Sequence, residues 1–254
     1  MTTYHFDYEA TPRSGRVPQS QPRSSRNNTP RVKGFVFGDD TGGGSYYYDL
    51  RTRHPIGARA KRVFDMLFAT ILITLLAPVY LAIALLVRLS GPGPIIFRQR
   101  RIGFRCNQFD MYKFRTMVDG AHLKEKELAD QTGKSFLKLK NDPRVTPIGR
   151  ILRKYSLDEL PQMFNVLEGT MSVVGPRPLL ASDLDKLPRR SGLTRFSTPP
   201  GITGLWQVSG RSSCSDMKRM RLDRMYVEQW TLGLDLQILF RTIEVVIAPG
   251  KDAV

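Results

Sequence analysis

Residues 66–87 read MLFATILITLLAPVYLAIALLV, an uncharged and mainly apolar run. It is about as long as the roughly 20 residues that cross a bilayer as a helix. An apolar run of this length argues against a core helix of a soluble protein. Two features argue against simple spanning. Pro78, near the middle, removes a backbone donor and clashes with the carbonyl of Thr74, so a helix bends or breaks there. Both flanks are basic: Arg59, Lys61 and Arg62 before, and Arg88, Arg98, Arg100, Arg101 and Arg105 after. Positive charge is retained on the cytoplasmic side, so both ends prefer the same side. A re-entrant helix-break-helix dipping into the inner leaflet, broken at Pro78, satisfies both facts. A kinked spanning helix is the alternative.

Outward from this segment the composition changes on both sides. Residues 1–55 are rich in Pro, Ser, Gly, Asn and Arg and open without a secretory signal, which predicts a disordered basic tail. Residues 56–90 form the membrane segment, and 91–254 read as a small mixed α/β domain facing the cytoplasm. In it, Pro94–Arg98 and Phe109–Phe114 are strand-like. Ala121–Asp130 is a polar helix candidate, and Asn141–Pro147 is turn chemistry. Ile148–Tyr155 and Leu160–Leu167 look helical, with Gly169 as a stop. Leu236, Leu239, Phe240, Ile243, Val246 and Ile247 recur at helical spacing behind Asp235, a good N-cap. Asp216–Trp230 suits either a helix on a membrane surface or ordinary packing, so amphipathic interfacial helices complete the predicted fold.

The formal net charge of +16 draws the chain to polyanions, whether anionic lipid, nucleic acid or phosphorylated substrate. Cys106 and Cys214 stand far apart, and with three scattered histidines they give no zinc pattern. Two reduced thiols are the expectation.

The densest polar constellation is RILRKYSLDELPQ at 150–162. One reading is purely structural: Ser156-x-x-Glu159 matches a capping box, with Asp158 and Glu159 offsetting the helix dipole. Other features favour chemistry. Pro161 fits only a first helical turn, so the carboxylates sit near free N–H groups. Arg150, Arg153 and Lys154 put fixed positive charge nearby. Lys113 and Arg115 alternate at strand spacing and so share a side. Carboxylates, cations and a helix start together suit phosphoryl transfer, where positioning and charge neutralisation do most of the work. Arg177, between Pro176 and Pro178, is presented stiffly and suits a phosphate or base.

Taken in order, KRVFD (61–65), the Pro-broken apolar run, PIIFRQRRIG (94–103), KFRTM (113–117), SLDELPQ (156–162), GPRP (175–178) and PGITGLWQV (200–208) resemble the bacterial sugar transferases, small monotopic polyprenyl-phosphate phosphoglycosyl transferases. The resemblance runs from about Lys61 to the end. It implies that Asp158 is the nucleophile attacking the phosphorus next to the sugar of a UDP-sugar, releasing UMP. Undecaprenyl phosphate would then attack the aspartyl-phosphosugar in a second, ping-pong step. Glu159 would complete the dyad by holding Mg²⁺ with Asp158 or by assisting proton transfer, and Mg²⁺ would offset charge on the diphosphate. Lys113, Arg115 and Arg153 would bind phosphate, and Arg177 would help hold the nucleotide. Pro78 matches the helix-breaking proline, although Ala77 stands where many members have Ser.

The resemblance implies an enzyme of the bacterial inner membrane, with its catalytic domain facing the cytoplasm. UDP-sugar, undecaprenyl phosphate and membrane lipids are its expected partners; no nucleic acid is expected, and oligomeric state stays open. SGRSS (209–213) and YVEQWTLGLDLQIL (226–239) look like enzymes that begin exopolysaccharide assembly, which points to galactose or glucose. Two other classes compete: a non-catalytic basic membrane-anchored binding module, and a Mg²⁺-dependent phosphohydrolase.

Overall fold

The computed structural model describes residues 54–121, 142–186, 193–210 and 215–247. The tail up to residue 53, all but the first residue of the Ala121–Asp130 helix, and Cys214 lie outside the described residues.

Helix α1 (Pro55–Leu75) and helix α2 (Ala77–Leu89) are separated only at Leu76 and meet at a bend of 65°. Pro78 lies in the first turn of α2, where its missing N–H has no intrahelical role. Leu76 N–H donates to the Leu72 carbonyl and Tyr80 N–H to the Leu76 carbonyl, both at 2.9 Å, so the break wastes little bonding. The Thr74 hydroxyl bonds the Thr70 carbonyl at 2.9 Å, a local back-bond that accompanies helix bends. Ala77 does not prevent the break. Among the described residues no single helix is long and apolar enough to cross a membrane, whereas the bent pair is when taken together. Leu67, Ile71 and Leu75 on one leg, and Leu81, Leu85 and Leu89 on the other, form outward stripes that are 59–73 % exposed.

The remainder is mixed α/β, with helices around two small sheets. Strands β1 (Ile96–Ile102) and β2 (Gln108–Phe114) form an antiparallel hairpin in which Gln99 faces Met111 and Arg101 faces Phe109. Helices α3 (Pro147–Lys154) and α4 (Gln162–Glu168) follow, and α4 stops at Gly169, whose φ of +85° is the left-handed value favoured at such ends. Strands β3 (Ser172–Val174) and β4 (Gly201–Thr203) pair in parallel. Gly175 and Gly201 are required where these strands run together: a Cβ on Gly175 would lie 2.6 Å from the Pro199 carbonyl oxygen. The short α5 (Leu205–Val208), then α6 (Asp216–Glu228) and α7 (Leu232–Ile247), complete the chain. Their buried Tyr226, Trp230 and Ile238 join Ala69 of α1 and Met163, Val166 and Val173 in the main core.

Two expectations change here. Helix α7 begins before Asp235, and its start is capped by Thr231, whose Oγ1 accepts from Leu234 N–H at 3.0 Å. Segment 216–230 packs inward through Asp223, Tyr226, Val227 and Trp230, so α6 takes the packing alternative. The exposed apolar stripe lies instead on α7, at Leu236, Phe240 and Ile243.

The KRVFD stretch welds α1 to this domain. Lys61 donates to Asp235 Oδ2 at 2.6 Å, and the same fully buried carboxylate accepts from Tyr226 OH (2.8 Å) and Trp230 Nε1 (3.1 Å). Arg62 donates to the Val166 and Leu167 carbonyls, closing the end of α4. Asp65 accepts from Val173 N–H at 3.1 Å. At the other end, buried Arg115 donates to the carbonyls of Val87, Gly91 and Pro92, the last turn and exit of α2. Breaking a buried ion pair from one side leaves a desolvated, uncompensated charge. Lys61→Ala should therefore lower stability by about 3–5 kcal/mol. The readout is a reduced thermal midpoint of the detergent-solubilised chain, with exposed Arg59→Ala close to wild type.

Candidate active site

The site is built on one irregular turn between two short helices. Thr146 caps α3 by accepting from Gly149 N–H at 3.0 Å, and the helix ends at Tyr155. Ser156 then takes a left-handed conformation (φ +57°), uncommon for a residue with a side chain. The chain reverses there into a 3-10 turn, Leu157–Glu159, which leads through Pro161 into α4. Leu157 and Leu160 pack beneath it with Ile83, Val87, Phe114 and Leu152, and Tyr80 of α2 donates to the Leu160 carbonyl at 2.7 Å. The second leg of the bent pair thus supports the turn directly.

The capping-box alternative does not hold. Ser156 makes no side-chain cap, and the Glu159 carboxylate turns toward cations. Lys113 Nζ and Arg177 Nη2 both donate to Glu159 Oε1, at 2.9 and 2.6 Å, and Arg177 Nη1 approaches Oε2 at 3.4 Å. Burial would raise the Glu159 carboxyl, but Arg177 and Lys113 outweigh it and hold the group well below the usual carboxylate range. Asp158 is 7 % exposed, and among the described residues its carboxylate accepts no hydrogen bond. Burial pushes its pKa up, and Glu159 adds to this; Lys113, Arg153 and Arg177 pull the other way without cancelling the rise. Adjacent carboxylates are therefore driven apart, one firmly ionised and clamped, the other desolvated and unpartnered.

Arg177 is fixed by its backbone. Gly175 N–H donates to the Thr203 carbonyl and Gly201 N–H to the Pro176 carbonyl, both at 2.9 Å. Ile102 N–H donates to the Leu179 carbonyl at 2.8 Å, and buried Arg195 donates to the Arg177 carbonyl at 2.7 Å while pairing with Asp223 at 3.0 Å. The GPRP loop is thereby stitched to β4 on one side and β1 on the other.

The predicted residues are not all brought to the same partners. Lys113, Asp158, Glu159 and Arg177 converge. Arg153 lies at the edge, where its Nε donates to Thr116 Oγ1 at 2.9 Å and its charge opposes the rise of Asp158. Arg115 does not share Lys113's partners, because it follows the last residue of β2 and its hydrogen bonds go to the carbonyls at the end of α2. One neighbour went unnoticed within the basic run after the apolar segment: Arg101, whose guanidinium reaches the carbonyl of Pro178, next to Arg177. Strand alternation is the signal that separates it. Arg98 stacks over Tyr112 and Arg100 pairs with Asp110 on one face, while Gln99, Arg101 and Lys113 share the other.

Among the described residues no three metal-ligating side chains gather. Mg²⁺, however, binds through one or two carboxylates plus substrate phosphates and water. The open oxygens of Asp158, with Oε2 of Glu159, fit that donor chemistry.

Residues 56–249 match the bacterial sugar transferase family, and the chain belongs to it. Its relatives include the exopolysaccharide production protein ExoY of Rhizobium meliloti, 43 % identical over 198 residues, which span 76 % of this chain and 87 % of that protein. The undecaprenyl-phosphate galactose phosphotransferase of Salmonella typhimurium is 42 % identical over 78 % of this chain and 43 % of its own length. The UDP-glucose:undecaprenyl-phosphate glucose-1-phosphate transferase of Escherichia coli is 40 % identical over 72 % of this chain and 39 % of its own.

The opposed environments of the dyad predict opposed stabilities. Asp158 has a raised folded pKa, so its ionised form at neutral pH opposes folding, and Asp158→Asn should raise the thermal midpoint. Glu159 has a depressed folded pKa; its contribution is present above the unfolded carboxylate pKa and disappears as pH falls through the folded one. Glu159→Gln should cost about 2 kcal/mol at neutral pH through its weakened charge-assisted bonds. Thermal melts of both variants at one neutral pH check the signs.

Proposed function

We propose that this transferase moves a sugar-1-phosphate from a UDP-sugar to undecaprenyl phosphate, as the first membrane step of exopolysaccharide assembly. The observation that carries this reading is the buried, unpartnered Asp158 carboxylate beside Glu159 clamped by Lys113 and Arg177. A carboxylate stripped of hydrogen bonds is a better nucleophile than a solvated one. An Asp158 oxygen attacks the phosphorus bearing the sugar; the bond from that phosphorus to the bridging oxygen breaks, and UMP leaves with the electron pair. An oxygen of undecaprenyl phosphate then attacks the same phosphorus and Asp158 departs as carboxylate. Lys113 and Arg177 supply fixed positive charge for the phosphate oxygens, and Glu159 holds both cations in place. Lys113, and after it Arg153 and Arg177, oppose the rise in the Asp158 pKa and so favour its ionised, reactive form. Arg115 serves the site indirectly, by fixing the exit of α2. Mg²⁺, held by Asp158 and Glu159, would offset charge on the diphosphate.

The bent pair is read as re-entrant. Lys61, Arg62 and Asp65 at its start and Val87, Gly91 and Pro92 at its end are fastened to one domain, so both ends belong on one membrane face, the cytoplasmic one. Exposed Ile151, Tyr155 and Phe164 flank the dyad's turn and suit the lipid boundary, where a polyprenyl chain would lie. The names of the relatives favour galactose or glucose as the sugar. A non-catalytic binding module gives no reason for a desolvated aspartate beside an ionised glutamate.

Detergent-solubilised protein with Mg²⁺, undecaprenyl phosphate and UDP-galactose or UDP-glucose should release UMP and form a lipid-linked product, and Asp158→Asn should abolish both. Since Asp158 reacts as the carboxylate and its pKa is raised, activity should fall with decreasing pH above the ordinary aspartate range. A well-folded wild type that releases no UMP from any UDP-sugar would sink the proposal.

A further inference from the structure

Besides Arg153 beside Asp158, three cations lie toward Glu159, and their partners are unequal. Glu159 accepts from Lys113 and Arg177. Arg101 bonds neutral acceptors only: its Nε and Nη2 donate to Gln99 Oε1 at 3.2 and 2.7 Å, and Nη1 reaches the Pro178 carbonyl at 3.5 Å. Its strongest charged neighbour is another cation, Arg177; burial first, and then that neighbour, bring its pKa down to about 10 against the opposing pull of Asp183 and Glu159. The juxtaposition is built in. The bridge between Ile102 and Leu179 brings the end of β1 against the residues after GPRP, and Arg195 fixes the Arg177 carbonyl. Two half-buried guanidiniums side by side repel each other. Arg177 spends two of its N–H groups on Glu159, and a guanidinium has five. The arrangement therefore leaves unspent donors on two neighbouring guanidiniums, which an anion with several oxygens would satisfy.

We propose that Arg101 and Arg177 form a paired-guanidinium site for a phosphate monoester, and that this one site is used twice in each catalytic cycle. The inference rests on the two-step transfer above. In the first step Asp158 attacks in line with the departing phosphate, which leaves as part of UMP. In the second step the lipid phosphate must approach the same phosphorus in line with Asp158, now the leaving group. Its attacking oxygen comes from the side the first phosphate vacated. Paired guanidiniums that stabilise the outgoing UMP phosphate are thus placed to receive the incoming polyprenyl phosphate.

The test uses the full chain in detergent, with Arg101→Gln, Arg101→Lys and, as a control, Arg100→Gln, whose side chain is 63 % exposed and pairs with Asp110. UMP binding is measured by calorimetric titration without turnover, and the KM for undecaprenyl phosphate by product formation. Arg101→Gln should weaken UMP binding and raise that KM, each roughly tenfold, since a charge-assisted bond to phosphate is worth about that factor. Arg101→Lys should recover part of both, Arg100→Gln should change neither, and all should melt close to wild type. Unchanged UMP binding in Arg101→Gln overturns the paired site. Weakened UMP binding with an unchanged acceptor KM overturns its double use. A wild type that binds UMP but releases none from a UDP-sugar counts against the transfer reading, and the titration alone still decides the site.

Discussion

Both ends of the bent helix pair are tied to one small domain by charge-assisted hydrogen bonds, and the geometry of the site follows from this. At the start, Lys61 and Asp65 reach across to α7 and β3, and Arg62 closes α4. At the far end, Arg115 gathers the Val87 carbonyl in the last turn of α2 and the carbonyls of Gly91 and Pro92 just beyond it. Between these anchors, Tyr80 bonds the Leu160 carbonyl within the turn that carries the dyad. The apolar segment is thus part of the floor of the site. A straight helix could not serve both ends; the break ahead of Pro78 lets one run of sequence leave the domain and return to it.

The dyad shows how two neighbouring carboxylates acquire different chemistry from position alone. Glu159 reaches Lys113 and Arg177, and their attraction exceeds the cost of its burial. Asp158, one residue earlier in a 3-10 turn, feels the same cations but loses solvent without gaining a hydrogen-bond donor. The left-handed Ser156 makes this possible, because a regular helical entry would have let the serine cap the turn and drawn Glu159 back toward it. Local strain at one residue thereby separates the roles of two.

What was legible in the sequence was mostly periodic. The apolar run and its break, both hairpin strands, α3, α4 and the stop at Gly169 follow from spacing, from proline and glycine and from length. The carboxylate pair, Lys113 and Arg177 were also legible, because unlike charges concentrated in ordered motifs have few structural uses. What periodicity could not supply was the partner of each side chain. Lys113 and Arg115 alternate as strand neighbours should, yet β2 ends at Phe114 and the second cation turns to a helix end distant in sequence. Asp235 looked like a cap and is instead the buried counterion of Lys61, 174 residues away. Arg101 was hidden by its neighbours: among the three arginines of β1, only pairing with β2 shows which ones stack or pair on the hairpin's outer face and which one faces the site.

That same difficulty bears on the large positive charge. Read as composition, +16 is a field that draws the chain to anionic surfaces. In the structure many of the relevant cations are short-range instruments. Lys61, Arg62, Arg115 and Arg195 are turned inward, where they neutralise buried carboxylates or satisfy carbonyls left over at helix and loop ends. Each such bond is stronger than an exposed one because water does not compete for it. Spending these cations on architecture leaves the guanidiniums of Arg101 and Arg177 as the distinctive pair: cations held close by backbone stitching, with N–H donors still unspent. An enzyme for phosphorylated substrates needs such open donors, since a site whose donors were all satisfied when empty would gain little from binding a phosphate.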